Sequence, residues 1–328
     1  MLQAEESNSS PGMSRLLQEA LGKDKPGTAY RRGLLALLRQ WSEPDTDAPS
    51  ISVLPSLTCE ASGGDSHQAE PVVAAWQSVR LAVKLLDDVE DGDVSDQPAQ
   101  AINFATGLLF VGHLALGELA VQGMSSEHLQ YLSQALHRAV LRACAGQHAD
   151  LAAAQTGIAD MDPDDWLETA RAKSGEFLAW AAWAGALVAG ADQRILACYR
   201  EYGSHLGVLL QVADDFNGVW GAGDPSDLAT AVLTLPVCYA LSAVQGMERT
   251  RLSGLLERAG QGDEVAEAQA REWLIDLGAQ GYLLTVAQVQ RQQALAALRR
   301  AEPISPAGEQ LAALLDRVLP ALKAAVSN

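Results

Sequence analysis

Leu81-Ala82-Val83-Lys84-Leu85-Leu86-Asp87-Asp88-Val89-Glu90-Asp91 decides the fold, because an apolar helical run here ends in carboxylates at helical spacing. Asp87 and Asp91 are i and i+4, so they share one helix face about 6 Å apart. Like charges at that distance repel unless a cation compensates. A second apolar run, Leu209-Leu210-Gln211-Val212-Ala213-Asp214-Asp215-Phe216, closes on another acidic pair. Such clusters suit hard divalent cations, and Mg2+ in particular takes a few carboxylates together with phosphate oxygens and water. The ordinary alternative for one pair is a solvated helix end, since paired acids are rarely buried. Two pairs, each closing an apolar stretch, favour the ligand reading. Between them in sequence lies Lys173, in Ala170-Arg171-Ala172-Lys173-Ser174-Gly175-Glu176-Phe177. A cation there can hold an anionic substrate, or it can simply snorkel from an apolar helix.

Outward from these runs the chain reads as helix after helix. Apolar residues recur at three- and four-residue steps in Arg32–Trp41 and in the stretches 69–90, 99–122, 126–156, 164–191, 193–220, 227–244, 248–259, 264–277, 283–299 and 307–326. Breakers rich in Gly, Pro, Ser and Asp separate them, and no stretch alternates as a half-buried strand would. The expectation is an all-α protein. Residues 1–28 are read as a flexible N-terminal tail with one short helix, Ser14–Leu21, and residues 29–328 as one helical domain. The Asp162-Pro163-Asp164-Asp165 run is read as a helix start, where acids are favoured.

Composition excludes several classes. With 23 Lys+Arg against 41 Asp+Glu in 328 residues, the net charge is −18. That leaves no basic footprint for nucleic acid or an anionic membrane surface. A 48% hydrophobic, 20% charged chain can bury a large core. Cys59, Cys144, Cys198 and Cys238 are far apart, without a CxxC pair, so neither zinc nor a disulfide framework is signalled. The histidines are single residues on helices. No apolar run reaches the ~20 residues of a membrane span unbroken by Gly or charge. The polar, acidic start does not resemble a signal peptide. A cytoplasmic protein without a membrane span is expected.

Taken in order, these residues resemble the trans-isoprenyl diphosphate synthases (the polyprenyl synthetase family) and the class I terpene synthases that share their fold. The likeness runs over roughly 30–300. Asp87-Asp88-Val89-Glu90-Asp91 is similar to the first acidic motif, Gly146-Gln147-His148-Ala149-Asp150 to the Gly-Gln-x-x-Asp stretch, and Lys173-Ser174 to the Lys-Thr segment. Gln211 with Asp214-Asp215 resembles the second acidic motif, followed by Ser226-Asp227-Leu228 and Thr234-Leu235-Pro236. The resemblance implies an antiparallel helical bundle around a deep apolar cavity, with both acidic motifs at its mouth, and a homodimer. It implies Mg2+, about three ions by the family's pattern, held by Asp87, Asp91 and Asp214 with Asp88 and Asp215 in support. Lys173, Gln211 and Gln147 would lie near the diphosphate of an allylic substrate.

The departures concern the second substrate. Chain-elongating members hold isopentenyl diphosphate with a Gly-Lys-Arg segment, where this chain has Ala48-Pro49-Ser50-Ile51-Ser52-Val53-Leu54-Pro55. Their Arg-Arg pair after the first motif is replaced by Gly92-Asp93-Val94-Ser95-Asp96-Gln97-Pro98, and the bases before Thr-Leu-Pro by Ala231-Val232-Leu233. Asn217-Gly218 stands where a third acid usually ends the second motif. A diphosphate needs metals or several basic forks to offset its desolvation. Arg80 and Lys84, on the Asp87 helix face, are the remaining bases. The two either bind the allylic diphosphate or neutralise Asp87 and Asp91; neutralisation is favoured for Lys84, while Arg80, which falls where the family touches isopentenyl diphosphate, stays open. Phe177 and Trp180, four and seven residues after Lys173, either stabilise an allylic cation by their faces or pack in the core. Small Ala82 and Val83 before the first motif favour a farnesyl or longer substrate.

The first expectation is therefore ionisation of an allylic prenyl diphosphate with cyclisation or quenching, as in a terpene synthase. The alternative is a polyprenyl diphosphate synthase whose isopentenyl site is rebuilt around Arg80. Prenyl transfer to a non-isoprenoid acceptor and a non-catalytic subunit of a heteromer are further alternatives. The intact acidic motif and Lys173 argue against the last.

Overall fold

The structure is a computed structural model that describes residues 11–40, 50–90, 92, 97–155, 161–221 and 226–326. Among the described residues there is no β-strand, and the all-α expectation holds. Contacts divide the chain into two compact units. The first comprises residues 1–135, 184–192 and 304–311, and the second 136–183, 193–303 and 312–328.

In the first unit, α1 (Pro11–Leu21) contains the short helix expected at Ser14–Leu21, and α2 (Lys25–Gln40) follows after a turn. The eight-residue α3 (Leu54–Ala61) was not read from sequence. It is too short to show periodicity, yet it buries Leu54, Leu57, Thr58 and Cys59, and Pro55 starts it where a missing N–H costs nothing. α4 (Ser66–Glu90) carries the first acidic pair at its C-terminal end, and α5 (Pro98–Val121) packs along it. Trp76, Val79 and Leu81 from α4 and Leu108, Leu116 and Leu119 from α5 are buried. Against the sequence expectation, α5 is long and apolar enough to span a membrane by length and composition. Its Gly residues do not interrupt it, and its inner face is committed to the helix beside it. Tyr30 of α2 stacks on Phe104 and donates its hydroxyl to the Asn103 carbonyl at 2.8 Å.

In the second unit, α6 (Ser126–Gln155) contributes its C-terminal part. α7 (Pro163–Ala170) is capped by Asp162, whose carboxylate accepts from the N–H groups of Asp164 and Asp165, as the acidic run predicted. One π-helical turn, Arg171–Gly175, joins it to α8 (Glu176–Val188). The long α9 (Gln193–Trp220) ends in the second acidic pair and packs on α13 (Ala279–Arg300). Tyr199, Tyr202, Leu206 and Leu209 form its buried side. α10 (Leu235–Ala243), α11 (Gly246–Ala259) and α12 (Glu264–Asp276) close a second cluster around Val219, Leu241, Leu252 and Leu274. α14 (Ala307–Val326) ends the described chain. The helix expected over 227–244 starts late, at Leu235. Residues 227–231 form a turn whose Ala231 takes φ 58°, a left-handed conformation that a helix cannot continue through.

Candidate active site

The π turn fixes where Lys173 stands. Glu176 donates its N–H to the Arg171 carbonyl, five residues back, so one extra residue is wound into the helix. Such bulges recur at functional sites because they re-aim side chains without ending the helix. Here α9 approaches the bulge through glycine at its closest points, while its Gln211 side chain reaches the Ser174 hydroxyl. A β-carbon at Gly207 would lie 2.5 Å from the Ser174 carbonyl oxygen, and one at Gly203 2.4 Å from that of Leu178. These glycines, one helical turn apart, let the two backbones touch. From the other side Gly146 of α6 faces the backbone of Lys173, where a β-carbon would come within 3.0 Å of its nitrogen. The Lys173 ammonium pairs with Asp150 of the same helix at 3.5 Å, and Gln147 lies half-buried between these two positions in sequence.

Around the second acidic pair, the two aspartates differ. Asp214 is exposed, whereas Asp215 is only 5% exposed and both of its oxygens are engaged. Oδ2 accepts the backbone N–H of Leu235 at 2.6 Å, and Oδ1 accepts from the Gln211 amide at 3.3 Å. The Gln211 carbonyl oxygen in turn accepts from the Ser174 hydroxyl at 2.9 Å. A chain of hydrogen bonds therefore runs from the Lys173 turn to the start of α10. Burial is the main force on the Asp215 carboxyl and pushes its pKa up to about 8. The two donated hydrogen bonds oppose this, and the neighbouring charges of Asp227 and Asp214 add to it.

Past the pair, Gly218 replaces a third acid with space that is already filled. A β-carbon there would lie 1.9 Å from a carboxylate oxygen of Asp227, whose own N–H bonds the Gly218 carbonyl at 3.0 Å. Arg271 holds the Val219 carbonyl at 2.8 Å and Glu267 at 2.5 Å, and Glu267 accepts the Ser226 hydroxyl at 2.7 Å. This clamp fixes Asp227 against the end of α9. Phe177 and Trp180 are buried, at 6% and 3% exposure, on α8.

In the first unit, Arg80, Lys84, Asp87 and Asp88 lie on α4, while Asp91 falls outside the described residues. Lys84 forms an ion pair with Asp88, one turn on. The i,i+4 step adds Asp88 to the carboxylates expected beside this ammonium. Arg80 donates to the Ser52 hydroxyl at 2.9 Å. Gln77 donates to the Ser52 carbonyl at 3.3 Å, and the Trp76 indole to the Ile51 carbonyl at 2.8 Å. The baseless segment is thus a 3-10 turn, Ile51–Val53, capped by the Ser50 hydroxyl and stitched along α4. Sequence reasoning assigned no partner to Ser52 or to Ser174 of the Lys-Thr-like segment, since a serine's partner carries no periodic signal.

The donor set is all oxygen, which fits a hard cation. Among the described residues no three carboxylate, imidazole or thiol groups form a metal cage by themselves. In the second unit, a cation held by the exposed Asp214 would complete its shell with diphosphate oxygens and water, the coordination that Mg2+ prefers.

Residues 49–272 match the polyprenyl synthetase family model. A short chain isoprenyl diphosphate synthase of Methanothermobacter thermautotrophicus is 29% identical over 283 residues, 83% of this chain and 84% of that protein. A geranylgeranyl diphosphate synthase of Mycobacterium tuberculosis is 33% identical over 195 residues, 56% of this chain and 55% of that one. In structure, a polyprenyl synthetase from Streptomyces coelicolor superposes with a TM-score of 0.76 at 23% identity, covering 97% of this chain and 98% of that one. A geranylgeranyl pyrophosphate synthetase from Pyrococcus horikoshii superposes with a TM-score of 0.77 at 17% identity, over 94% of each chain. At these identities the structural likeness establishes the all-α fold.

Proposed function

The chain belongs to the polyprenyl synthetase family and is an enzyme of the isoprenyl diphosphate synthase type. On that premise, we propose that it elongates an allylic prenyl diphosphate, farnesyl or longer, with isopentenyl diphosphate, in the presence of Mg2+. The observation that carries this reading is the second unit's grouping of Lys173 and Gln211 with the acidic end of α9, in a chain whose relatives are named as prenyl diphosphate synthases.

Lys173 would receive the allylic diphosphate after leaving Asp150, and a pair 3.5 Å apart and partly exposed is weak enough to give up. Asp214 would hold the metal edge of the same diphosphate. Bound Mg2+ supplies Lewis-acid neutralisation of the leaving group. The C1–O bond then breaks with its electron pair on the diphosphate. The double bond of isopentenyl diphosphate attacks C1, and loss of a proton from that acceptor restores an alkene. Phe177 and Trp180, buried beyond Lys173, would exclude water from the allylic cation and offer it their ring faces. On α4, Arg80 with Ser52 would serve the isopentenyl diphosphate in place of the missing bases.

A second reading, ionisation with cyclisation or quenching and no isopentenyl diphosphate, is favoured by one observation. The 50–55 turn and the 231–233 stretch contain no Lys or Arg. A product assay with Mg2+ and geranyl, farnesyl or geranylgeranyl diphosphate, with and without isopentenyl diphosphate, separates the two. A longer diphosphate formed only with isopentenyl diphosphate supports elongation, and hydrocarbon or terpene alcohol formed without it supports the second reading.

The exposed side of α5 supports a homodimer. Ile102, Phe110, Leu114 and Val121, 45%, 67%, 49% and 82% exposed, leave an apolar stripe for a second copy to cover. Light scattering on the purified protein tests it.

A further inference from the structure

Glu176 holds the π turn with both its backbone and its side chain. Its N–H reaches back to the Arg171 carbonyl, while its carboxylate reaches out to two other helices. Oε1 accepts from Arg142 of α6 at 2.6 Å and Oε2 from Arg200 of α9 at 3.0 Å, so each oxygen has its own guanidinium. The two arginine side chains are 55% and 50% exposed, and such pairs add little to stability. Two charge-assisted donors from different helices nonetheless fix where one carboxylate stands.

This clamp lies in line with the contacts that carry Lys173. On α6, Arg142, Gly146 and Asp150 follow at four-residue steps near one face. The first holds Glu176, the second faces the Lys173 backbone, and the third pairs with the Lys173 ammonium. On α9, Arg200, Ser204 and Gln211 run past the same turn. A β-carbon at Gly175 would lie 3.2 Å from the Ser204 carbonyl oxygen, and Gln211 accepts the Ser174 hydroxyl. A π turn holds one residue more than an α turn. Relaxing it would move Lys173 by one helical position, about 100° around the axis. Glu176 is the first residue beyond the bulge, so anchoring it to both neighbours opposes that shift.

We propose that Glu176 is a positioning residue for Lys173: clamped by Arg142 and Arg200, it keeps the π turn wound and the ammonium beside Asp150. What that ammonium does for an allylic diphosphate rests on the proposed function, whereas the clamp stands on geometry alone.

The test uses the full chain with Glu176→Gln, Glu176→Ala, Lys173→Gln and the Glu176→Gln/Lys173→Gln double variant. Asp316→Asn, which removes a comparable surface pair with Arg291, is the control. The first measurement is acetylation of Lys173 by sulfo-N-hydroxysuccinimide acetate without ligand, read by peptide mass spectrometry against the exposed Lys23. Lys173, 23% exposed and paired, should react about threefold faster or more in Glu176→Gln and faster again in Glu176→Ala. Asp316→Asn should keep the wild-type rate. The second measurement is a kinetic cycle with an allylic prenyl diphosphate and isopentenyl diphosphate. Glu176→Gln should lower kcat about tenfold and leave the allylic KM within about threefold. In the Lys173→Gln background the same change should cost less than about twofold, because the ammonium that it positions is gone. A role in folding alone would cost as much with either residue at 173. Wild-type labelling in the Glu176 variants, or the full kinetic cost in the Lys173→Gln background, overturns the proposal. If Glu176→Ala does not fold, Glu176→Gln decides, since it keeps the volume and one acceptor. If wild type turns over no prenyl diphosphate, the proposed function fails while the labelling arm still judges the clamp.

Discussion

Leu235 donates its backbone N–H to the Asp215 carboxylate across 2.6 Å, joining the start of one helix to the end of another twenty residues earlier in sequence. This bond ties Thr234-Leu235-Pro236 to the second acidic pair. The Pro deletes one unpaired donor, the carboxylate takes another, and the helix begins where the pair allows it. A local reading of 227–244 as helix could not see this, because the cap comes from another element.

Gly207 should tolerate no side chain. Alanine there must displace the Ser174 carbonyl, which a β-carbon would approach to 2.5 Å. The expected cost is about 1–3 kcal/mol, as for other overpacked sites. Activity should fall further than stability, since Ser174 and Gln211 move together. Gly254→Ala on α11 is the control, for a β-carbon there meets nothing within 4 Å. It should stabilise by up to about 1 kcal/mol through helix propensity. Chemical denaturation of both variants measures the contrast, and equal effects would refute the packing argument.

Most helices were legible because apolar spacing over twenty residues leaves little choice. The acidic ends of α4 and α9 were legible because charge interrupts that spacing abruptly. α3 was not, since eight residues hold barely two turns. The partners of Asp215, the Ser174–Gln211 link and the packing of Asp227 against Gly218 were not legible either. Each depends on which elements meet, and a single sequence without periodicity at those positions carries no record of it.

Lys173→Gln should separate catalysis from folding. Loss of a preorganised cation at a leaving group costs about 10²–10³-fold in kcat/KM. The fold should barely respond, as the pair with Asp150 is partly exposed and such pairs contribute less than about 1 kcal/mol. Steady-state kinetics with an allylic diphosphate and a thermal melt of the same sample check both halves. A large drop in melting temperature would recast Lys173 as structural.

Asp263 predicts an acid-side stability change. Its carboxylate caps α12 by accepting from Val265 and Ala266, and Arg258 bonds it from the side. The Ala266 N–H, then the Arg258 hydrogen bond, hold its pKa below the ordinary carboxylate value. A lowered folded-state pKa stabilises above the unfolded value, and the benefit is lost as pH falls through the folded one. Wild type should therefore melt above Asp263→Ala at neutral pH, with the gap closing as pH falls from the ordinary carboxylate value of about 4 through the lowered folded one. A gap independent of pH would assign the effect to shape instead of charge.

Arg80 is where the two readings of the reaction part. Its guanidinium bonds the Ser52 hydroxyl, on a turn already fixed to α4 by Trp76 and Gln77, so the group is held in place before any ligand arrives. A pre-positioned guanidinium loses little freedom on gripping a phosphate, which is its advantage over a lysine. If the chain elongates, Arg80→Gln should raise KM for isopentenyl diphosphate about tenfold or more and leave KM for the allylic substrate within about threefold. Ser52→Ala should give a smaller shift in the same direction, because the fork keeps its charge but loses its anchor. In the cyclisation reading, product formed from the allylic diphosphate alone should be nearly indifferent to Arg80→Gln. Steady-state kinetics varying each substrate in turn measures both constants. An increase confined to the allylic KM would place Arg80 with the first diphosphate instead.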